Sequence, residues 1–411
     1  MSKDQILSGY TVLDFTQAVA GPAATLMMAE MGAHVIKIEF APRGDLTRTF
    51  PYFKDGRSGC FVQFNRGKQS LCVALKTPEG LKIIQDLLKD ADVLVENFTP
   101  GVMDRLGLGY EAVRAINPKI VMCSISSFGQ TGPLAYKSGF DTIGAAYSGV
   151  LSRIGEPDGP PPMLQSAFGD VGAGVYALAA IGYALLHREH TGVGQHLETT
   201  LIDTYFNYHE TAIEAFSASK GALKTQRTGR FAPLHSATGM FKARRGFIMF
   251  CAAPPHHFEA LCKAMGRPEL ITDPRFSDNE KRVANGAYLT AAIEQWLQSL
   301  PSDEEGLRIL EQHHIPASPI LSVEEAMDER HLRDRGTVRT INDPVLGEFN
   351  VPGFPIKFSQ TPAVEDLPAP FLGQHNAEVL MSRLNYTPGH VRALEEKGIL
   401  HRDPIPPEDI G

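Results

Sequence analysis

The 411-residue chain, with 43% hydrophobic and 21% charged side chains and no charge run, has the composition of a folded globular protein, and it exceeds the roughly 250–300 residues one core usually serves, so two lobes are expected. Its formal charge of −8 disfavours nucleic acid or an anionic membrane as the main partner, because phosphates are held by clustered cations. Cys60, Cys72, Cys123, Cys251 and Cys262 are odd in number, with no C-x-x-C, and neither an apolar signal core nor an 18-residue apolar run is read, so a reduced, cytoplasmic, non-membrane protein is expected.

Tyr10–Phe15 and Ala33–Glu39 are short β-branched runs, and the stretch between them, Pro22–Met31, starts with Pro and is rich in helix formers. This predicts a strand-helix-strand unit. The pattern recurs from Ser70–Leu75 through Thr77-Pro78, a cap with Pro at the first helical position, into helix 81–91 and the strand Asp92–Glu96. A further strand, KIVMCSIS, follows Asn117-Pro118. Strands alternating with helices of 10–13 residues predict a parallel sheet covered on both faces, with ligands beyond the carboxyl ends of the strands.

Gly155–Pro162 reads as a loop, and Val171–His187 as a buried helix whose small residues suit close packing. From about Gly221 the texture changes to strand-like pieces and polar helices, a smaller α+β lobe reaching about residue 325. Pro344–Pro370 reads as extended chain.

Several chemistries lack their motif. No G-x-G-x-x-G opens the first helix, where Ala20-Gly21-Pro22 stands, which disfavours a nicotinamide dehydrogenase. Neither a P-loop nor a G-x-S-x-G elbow occurs. His256-His257 and His313-His314 are adjacent pairs, expected on different faces and unable to share a metal, so no metal site is read. What remains is Asp170 in SAFGD, just before the small-residue helix. Asp is a favoured N-cap, which accounts for it without catalysis. The same setting favours an anion or anionic transition state, and a carboxylate can be a covalent nucleophile. Gly169, lacking a side chain, would let a substrate approach. The residues alone do not choose. Arg43, Arg48, Arg66, Lys68, Lys76, Arg105 and Lys137 are cations in or near loops, explained by solvated faces or by a polyanionic ligand such as coenzyme A.

Beyond single motifs, VLDFTQAVAGP (12–22), GAHVIKIE (32–39), GDLTR (44–48), NRGKQSLCVALKTPEG (65–80), ADVLVENFTPG (91–101), SGFDTIGAAYSG (138–149), SAFGD (166–170) and DPRFSDNEKRVAN (273–285) occur in one order along the chain. In this the sequence resembles the class III CoA-transferases of the CaiB/BaiF type, which include formyl-CoA:oxalate and crotonobetainyl-CoA:carnitine transferases. The resemblance implies transfer of CoA from an acyl-CoA donor to a carboxylic acid through aspartyl anhydride and aspartyl-CoA thioester intermediates, with Asp170 as nucleophile. It implies CoA contacts at Ala18, Val19, Val73, Lys76, Asn97, Phe98, Arg105 and Lys137. Phe40 stands where formyl-CoA enzymes carry arginine, with Arg43 as the candidate substitute cation, and FAPLHSATG (231–239) stands nearest to their glycine-rich lid. CoA is a substrate, and no permanently bound cofactor is implied. The implied fold is α/β: a Rossmann-like large domain from 1–200 and 330–411, a small α+β domain at 221–325, linkers at 201–220 and 326–329, and two subunits interlocked as a homodimer.

Two rival functions stand beside this one. An α-methylacyl-CoA racemase removes and returns a proton with a His/Asp pair; here Gly139-Phe140-Asp141 replaces the histidine with a side chain that carries no proton. A catalytically silent CoA-binding protein is the third reading, against which the retention of Asp170 weighs.

Overall fold

The computed structural model describes residues 5–364 and 367–404. The chain divides into two compact units: one takes the described residues up to Ser148, Leu164–His209 and those from Arg330 onward, the other Gly149–Met163 and Glu210–Glu329.

The first unit is built on six strands: β1 (Thr11–Asp14), β2 (His34–Phe40), β3 (Gln69–Val73), β4 (Val93–Glu96), β5 (Val121–Ser126) and β6 (His196–Thr200). They run in the order β3-β2-β1-β4-β5-β6 with every neighbouring pair parallel. Alternation along each strand sends side chains to two faces, and both are apolar. Leu13, Ile36, Leu71, Leu94 and Met122 join one core, and Val12, Val35, Val93, Val121 and Cys123 the other. Such two-sided burial is why these strands read as apolar runs.

Helices cover both faces. Helix α1 (Ala20–Glu30) follows β1, and α2 (Pro78–Leu88) opens as expected, with Thr77 accepting the Gly80 N–H and Pro at the helix start. Two shorter helices, α3 (Asp141–Tyr147) and α5 (Leu201–Asn207), flank the long α4 (Phe168–Thr191). A Cβ at Gly174 would lie 2.7 Å from the Ala20 carbonyl oxygen, so α1 and α4 approach to a distance only glycine permits. Helix α4 departs from expectation in two ways. It is buried along one face only, with Phe168, Val171, Val175, Tyr176, Tyr183 and Leu186 exposed. It is also long and apolar enough, by length and composition, to cross a membrane, yet Ala173, Ala177, Ile181 and Ala184 pack into the core beside the sheet.

Other expectations are corrected. The stretch 201–220, read as a linker, holds α5 and the helix Ala212–Ala218, and residues 149–163 fall in the second unit. The tail read as extended, 344–370, keeps that character: it gives one strand, Gly347–Pro352, to an antiparallel hairpin with Val338–Asp343, and 353–364 and 367–370 form neither helix nor strand; Glu365 and Asp366 lie outside the described residues.

The second unit carries a three-stranded antiparallel sheet, Ala317–Pro319, Phe247–Cys251 and Thr238–Lys242 in that order, against helices such as Pro255–Ala264, Gly286–Ser299 and Asp303–Gln312. The rings of His256 and His257, expected to diverge, lie with centroids 4.2 Å apart. FAPLHSATG spans the entry to Thr238–Lys242 and, with Gly286–Ser299, lines an apolar cavity of about 540 Å³.

Candidate active site

In a doubly wound sheet the crevice opens where the strand order reverses, here between β1 and β4. The chain leaving β1 at Thr16–Val19 and the chain leaving β4 at Asn97–Pro100 part to opposite sides there. A double clamp joins them: the Gln17 N–H donates to Asn97 Oδ1 at 2.8 Å, and Asn97 Nδ2 donates to the Gln17 carbonyl at 2.7 Å. The cavity beside this clamp, about 320 Å³, is lined by Gln17, Ala18, Val19, Asn97, Phe98, Ser126, Ser127, Lys137, Phe140 and Asp170.

Six of the residues singled out from sequence therefore share one cavity: Ala18, Val19, Asn97, Phe98, Lys137 and Asp170. Lys137 is the one Lys or Arg among its lining, held 5.1 Å from the Tyr147 ring centroid and 5.6 Å from that of Phe128. The other four lie outside the lining. Val73 is buried at the end of β3, paired in register with Phe40, whose ring meets Phe98 edge-on at 5.5 Å. An aromatic edge thus occupies the end of β2. Arg43 is exposed on the turn after Phe40, Lys76 is exposed on the turn before α2, and Arg105 is exposed at the end of the short helix Val102–Arg105. Arg48, Arg66 and Lys68, taken as loop cations, are drawn inside into ion pairs with Glu39, Glu30 and Asp14.

Asp170 is not the helix cap. Helix α4 begins at Phe168, its N-cap residue Ala167 offers no side-chain bond, and Asp170 sits in the first turn. Its own N–H donates to Asp141 Oδ1 at 2.8 Å, so a carboxylate on α3 satisfies this helix end from outside. Asp141 is 9% exposed, and its second oxygen accepts the Tyr205 hydroxyl of α5 at 2.8 Å. Gly169 serves this buttress rather than substrate approach: it is buried, and a Cβ there would lie 2.2 Å from the Tyr205 ring and 2.8 Å from Asp141 Oδ1. Burial, reinforced by the Asp141 charge, pushes the Asp170 carboxyl up to about 7. It is the acid form that withdrawal from water favours, and the carboxylate, once formed, is more basic than an ordinary aspartate.

Asp141 and Tyr205 were not found by sequence reasoning, although Asp141 follows the very Phe140 that was weighed. A second raised carboxyl, Glu96, ends β4 immediately before Asn97. Burial pushes it up to about 7 despite hydrogen bonds from Ser124 and the Phe98 N–H.

The sequence model of CoA-transferase family III matches residues 7–376. The chain belongs to that family. Among family III relatives it is 33% identical to succinyl-CoA:glutarate CoA-transferase of Mus musculus over 401 residues, 96% of this chain and 90% of the relative. It is 37% identical to acetyl-CoA:oxalate CoA-transferase of Acetobacter aceti over 352 residues, 85% of this chain and 88% of the relative. A crystal structure of a CaiB/BaiF family protein from Brucella suis superposes with a TM-score of 0.82 at 32% identity, covering 93% of this chain and all of that one.

Proposed function

We propose that this family III chain moves CoA from an acyl-CoA to a dicarboxylic acid, with Asp170 as the nucleophile. The observation that carries the reading is the position of Asp170 in the switch-point cavity, its carboxyl raised toward neutrality and its backbone braced by Asp141.

In the first step the Asp170 carboxylate attacks the donor thioester, the C–S bond breaks, and a mixed anhydride and CoA thiolate result. The thiolate attacks the aspartyl carbonyl and expels the donor acid, leaving an aspartyl-CoA thioester. The acceptor carboxylate attacks that thioester, giving a second anhydride and releasing thiolate again. Attack of the thiolate on the acceptor's acyl carbon yields the new acyl-CoA and returns Asp170 as carboxylate. Thioester and anhydride are of comparable reactivity, so the protein's work is positioning and exclusion of water. A carboxylate of raised basicity is the better nucleophile once ionised.

Lys137 supports an anionic substrate, answering either a CoA phosphate or the second carboxylate of the acid. The glutarate and oxalate enzymes among its relatives support the dicarboxylic class. Phe140 at the cavity supports transfer over racemisation, since it offers no proton on that side. The exposed apolar face of α4, with Phe206 on α5, supports a homodimer in which a second copy covers it, interlocked as the family resemblance implies.

Incubation with succinyl-CoA, acetyl-CoA or oxalyl-CoA is expected to leave a CoA-sized adduct on Asp170, seen by intact-mass and peptide mass spectrometry and absent in Asp170→Ala, with transfer activity falling by about 10⁴-fold or more. A wild-type protein that transfers CoA to a panel of acids with no dependence on Asp170 would overturn the assignment.

A further inference from the structure

Four of the sequence stretches that carry the family resemblance, VLDFTQ, VIKIE, GDLTR and NRGKQS, contribute only Gln17 and Leu46 to the cavity. The structure brings six of their charged residues together in one cluster. Asp14, Lys37, Glu39, Asp45 and Lys68 are each at most 3% exposed, and the Arg48 side chain is 12% exposed. These are three carboxylates and three cations. Lys37 Nζ lies 2.7 Å from Asp45 Oδ2, Lys68 Nζ lies 2.9 Å from Asp14 Oδ2, and Arg48 grips Glu39 through Nε at 2.8 Å and Nη2 at 2.7 Å. Burial pushes the Lys37 ammonium down, but Asp14 and Asp45 outweigh it and hold the group above its ordinary value.

Stability alone is a poor reason for such a cluster. Well-packed apolar side chains of similar volume often serve a core as well or better, because desolvating ions costs about what their attraction returns. What apolar residues cannot supply is fixed hydrogen-bond direction, and four of the cluster's hydrogen bonds fall on one turn, 16–18. Lys37 Nζ donates to the Thr16 carbonyl at 2.8 Å. The Thr16 N–H and hydroxyl donate to Asp14 Oδ1 at 2.9 and 2.5 Å, and the Ala18 N–H donates to Asp45 Oδ1 at 3.2 Å. With the Asn97 clamp on Gln17, the backbone of 16–18 is held from both sides. Ala18 needs that support: its φ is +62°, in the left-handed region that disfavours any residue with a Cβ.

We propose that Lys37 and Asp45 are positioning residues for the transfer reaction, holding the turn Gln17–Val19 in the conformation that lines the cavity with Asp170. The inference rests on the transfer reading above. It assigns the ion cluster a role in the geometry of the site, distinct from holding the fold together.

The test uses the full chain in four forms: wild type, Asp45→Asn, Ala18→Gly and the double variant. Single-turnover formation of the Asp170 adduct, CoA affinity by calorimetry and thermal unfolding are measured, with rates taken where all four are folded. Asp45→Asn is expected to slow adduct formation about 30-fold, less than the roughly 10²-fold that a full 1 Å displacement can cost. The double variant is expected to be at least about five-fold faster than Asp45→Asn, because glycine enters the left-handed region without a Cβ penalty. Lys37→Arg, which keeps the charge balance but misplaces the donor, is expected to be about 10-fold slow and serves if Asp45→Asn does not fold. A wild-type rate in both Asp45→Asn and Lys37→Arg, or a slow Asp45→Asn that glycine at 18 does not speed, overturns the proposal. Should wild type form no adduct, the transfer reading fails, and CoA affinity then decides: a value unchanged in Asp45→Asn overturns the positioning role, and a weakening relieved by glycine supports it.

Discussion

Asp14 and Asp170 are two aspartates withdrawn from water near the same cavity, and their acidities move in opposite directions. Around Asp14, burial pushes the carboxyl up, but Lys37, Lys68 and the Thr16 hydroxyl together hold it well below the ordinary carboxylate range. Around Asp170 burial acts in the same sense, and the nearest charge is another carboxylate, so the group rises to about 7. Removal from water is common to both; the neighbours decide the sign. One aspartate is thereby fixed as a permanent anion that holds structure. The other is left poised between acid and base at neutral pH, the condition that suits reacting groups.

The sharpest way to break this contrast is at Gly169. A methyl group there would lie 2.2 Å from the Tyr205 ring and 2.8 Å from Asp141 Oδ1 and would have to displace one of them. Gly169→Ala is expected to cost about 1–3 kcal/mol of stability through overpacking and to slow adduct formation roughly 10²-fold as the first turn of α4 shifts. Thermal unfolding and single-turnover rates check both. Wild-type values in each would show that the Asp141–Tyr205 buttress does not place Asp170.

Asp141→Asn addresses the charge and keeps the shape. The amide can still accept from the Asp170 N–H, while the carboxylate that raises Asp170 is gone. The nucleophile works ionised, so the rate climbs as pH rises through about 7 in wild type; in the variant that limb should move toward the ordinary aspartate range, with a plateau several-fold lower because the carboxylate is less basic. A pH profile of adduct formation from 4.5 to 9 measures it, and an unmoved acidic limb would leave burial as the whole cause.

How much of this was readable beforehand follows the range of the interactions. The first five strands of the sheet and α2 were legible because their signals are local: β-branched runs for β1 and β2, and the Thr77-Pro78 start of α2; β6, the polar edge strand HLETT, carries no apolar run and was not read. Long-range pairing was not. Arg48, Arg66 and Lys68 read as loop cations because their partners lie 9, 36 and 54 residues away, and only the folded sheet makes them internal. Likewise α4 starts three residues before the predicted position, since Asp141, 29 residues upstream of Asp170, caps it from another helix. Of the site, chemistry came from resemblance: Asp170 alone fitted a helix cap as well as a nucleophile. Asp141 and Tyr205 carried no local signal beyond the glycine at 169, whose reason is a ring 36 positions further on.

Glu96 extends the contrast to a carboxyl outside the reaction and gives the smallest effect. It is 3% exposed, and burial lifts it from 4.5 to about 7. Between those values the folded chain keeps a proton that the unfolded chain has released, so this group's contribution to stability is whole below about 4.5 and is lost as pH rises through about 7. Glutamine has no proton to lose. Glu96→Gln should therefore remove the decline, gaining on wild type by about 1–3 kcal/mol between pH 5 and pH 8. Urea unfolding at the two pH values reads the difference directly. If wild type and Glu96→Gln change in parallel, Glu96 titrates alike in the folded and unfolded chain, and the end of β4 is less dry than its packing indicates; if they diverge in the expected sense, the strand end that carries Asn97 is itself sensitive to neutral pH, through a carboxyl with no cation beside it to do for Glu96 what Lys37 and Lys68 do for Asp14.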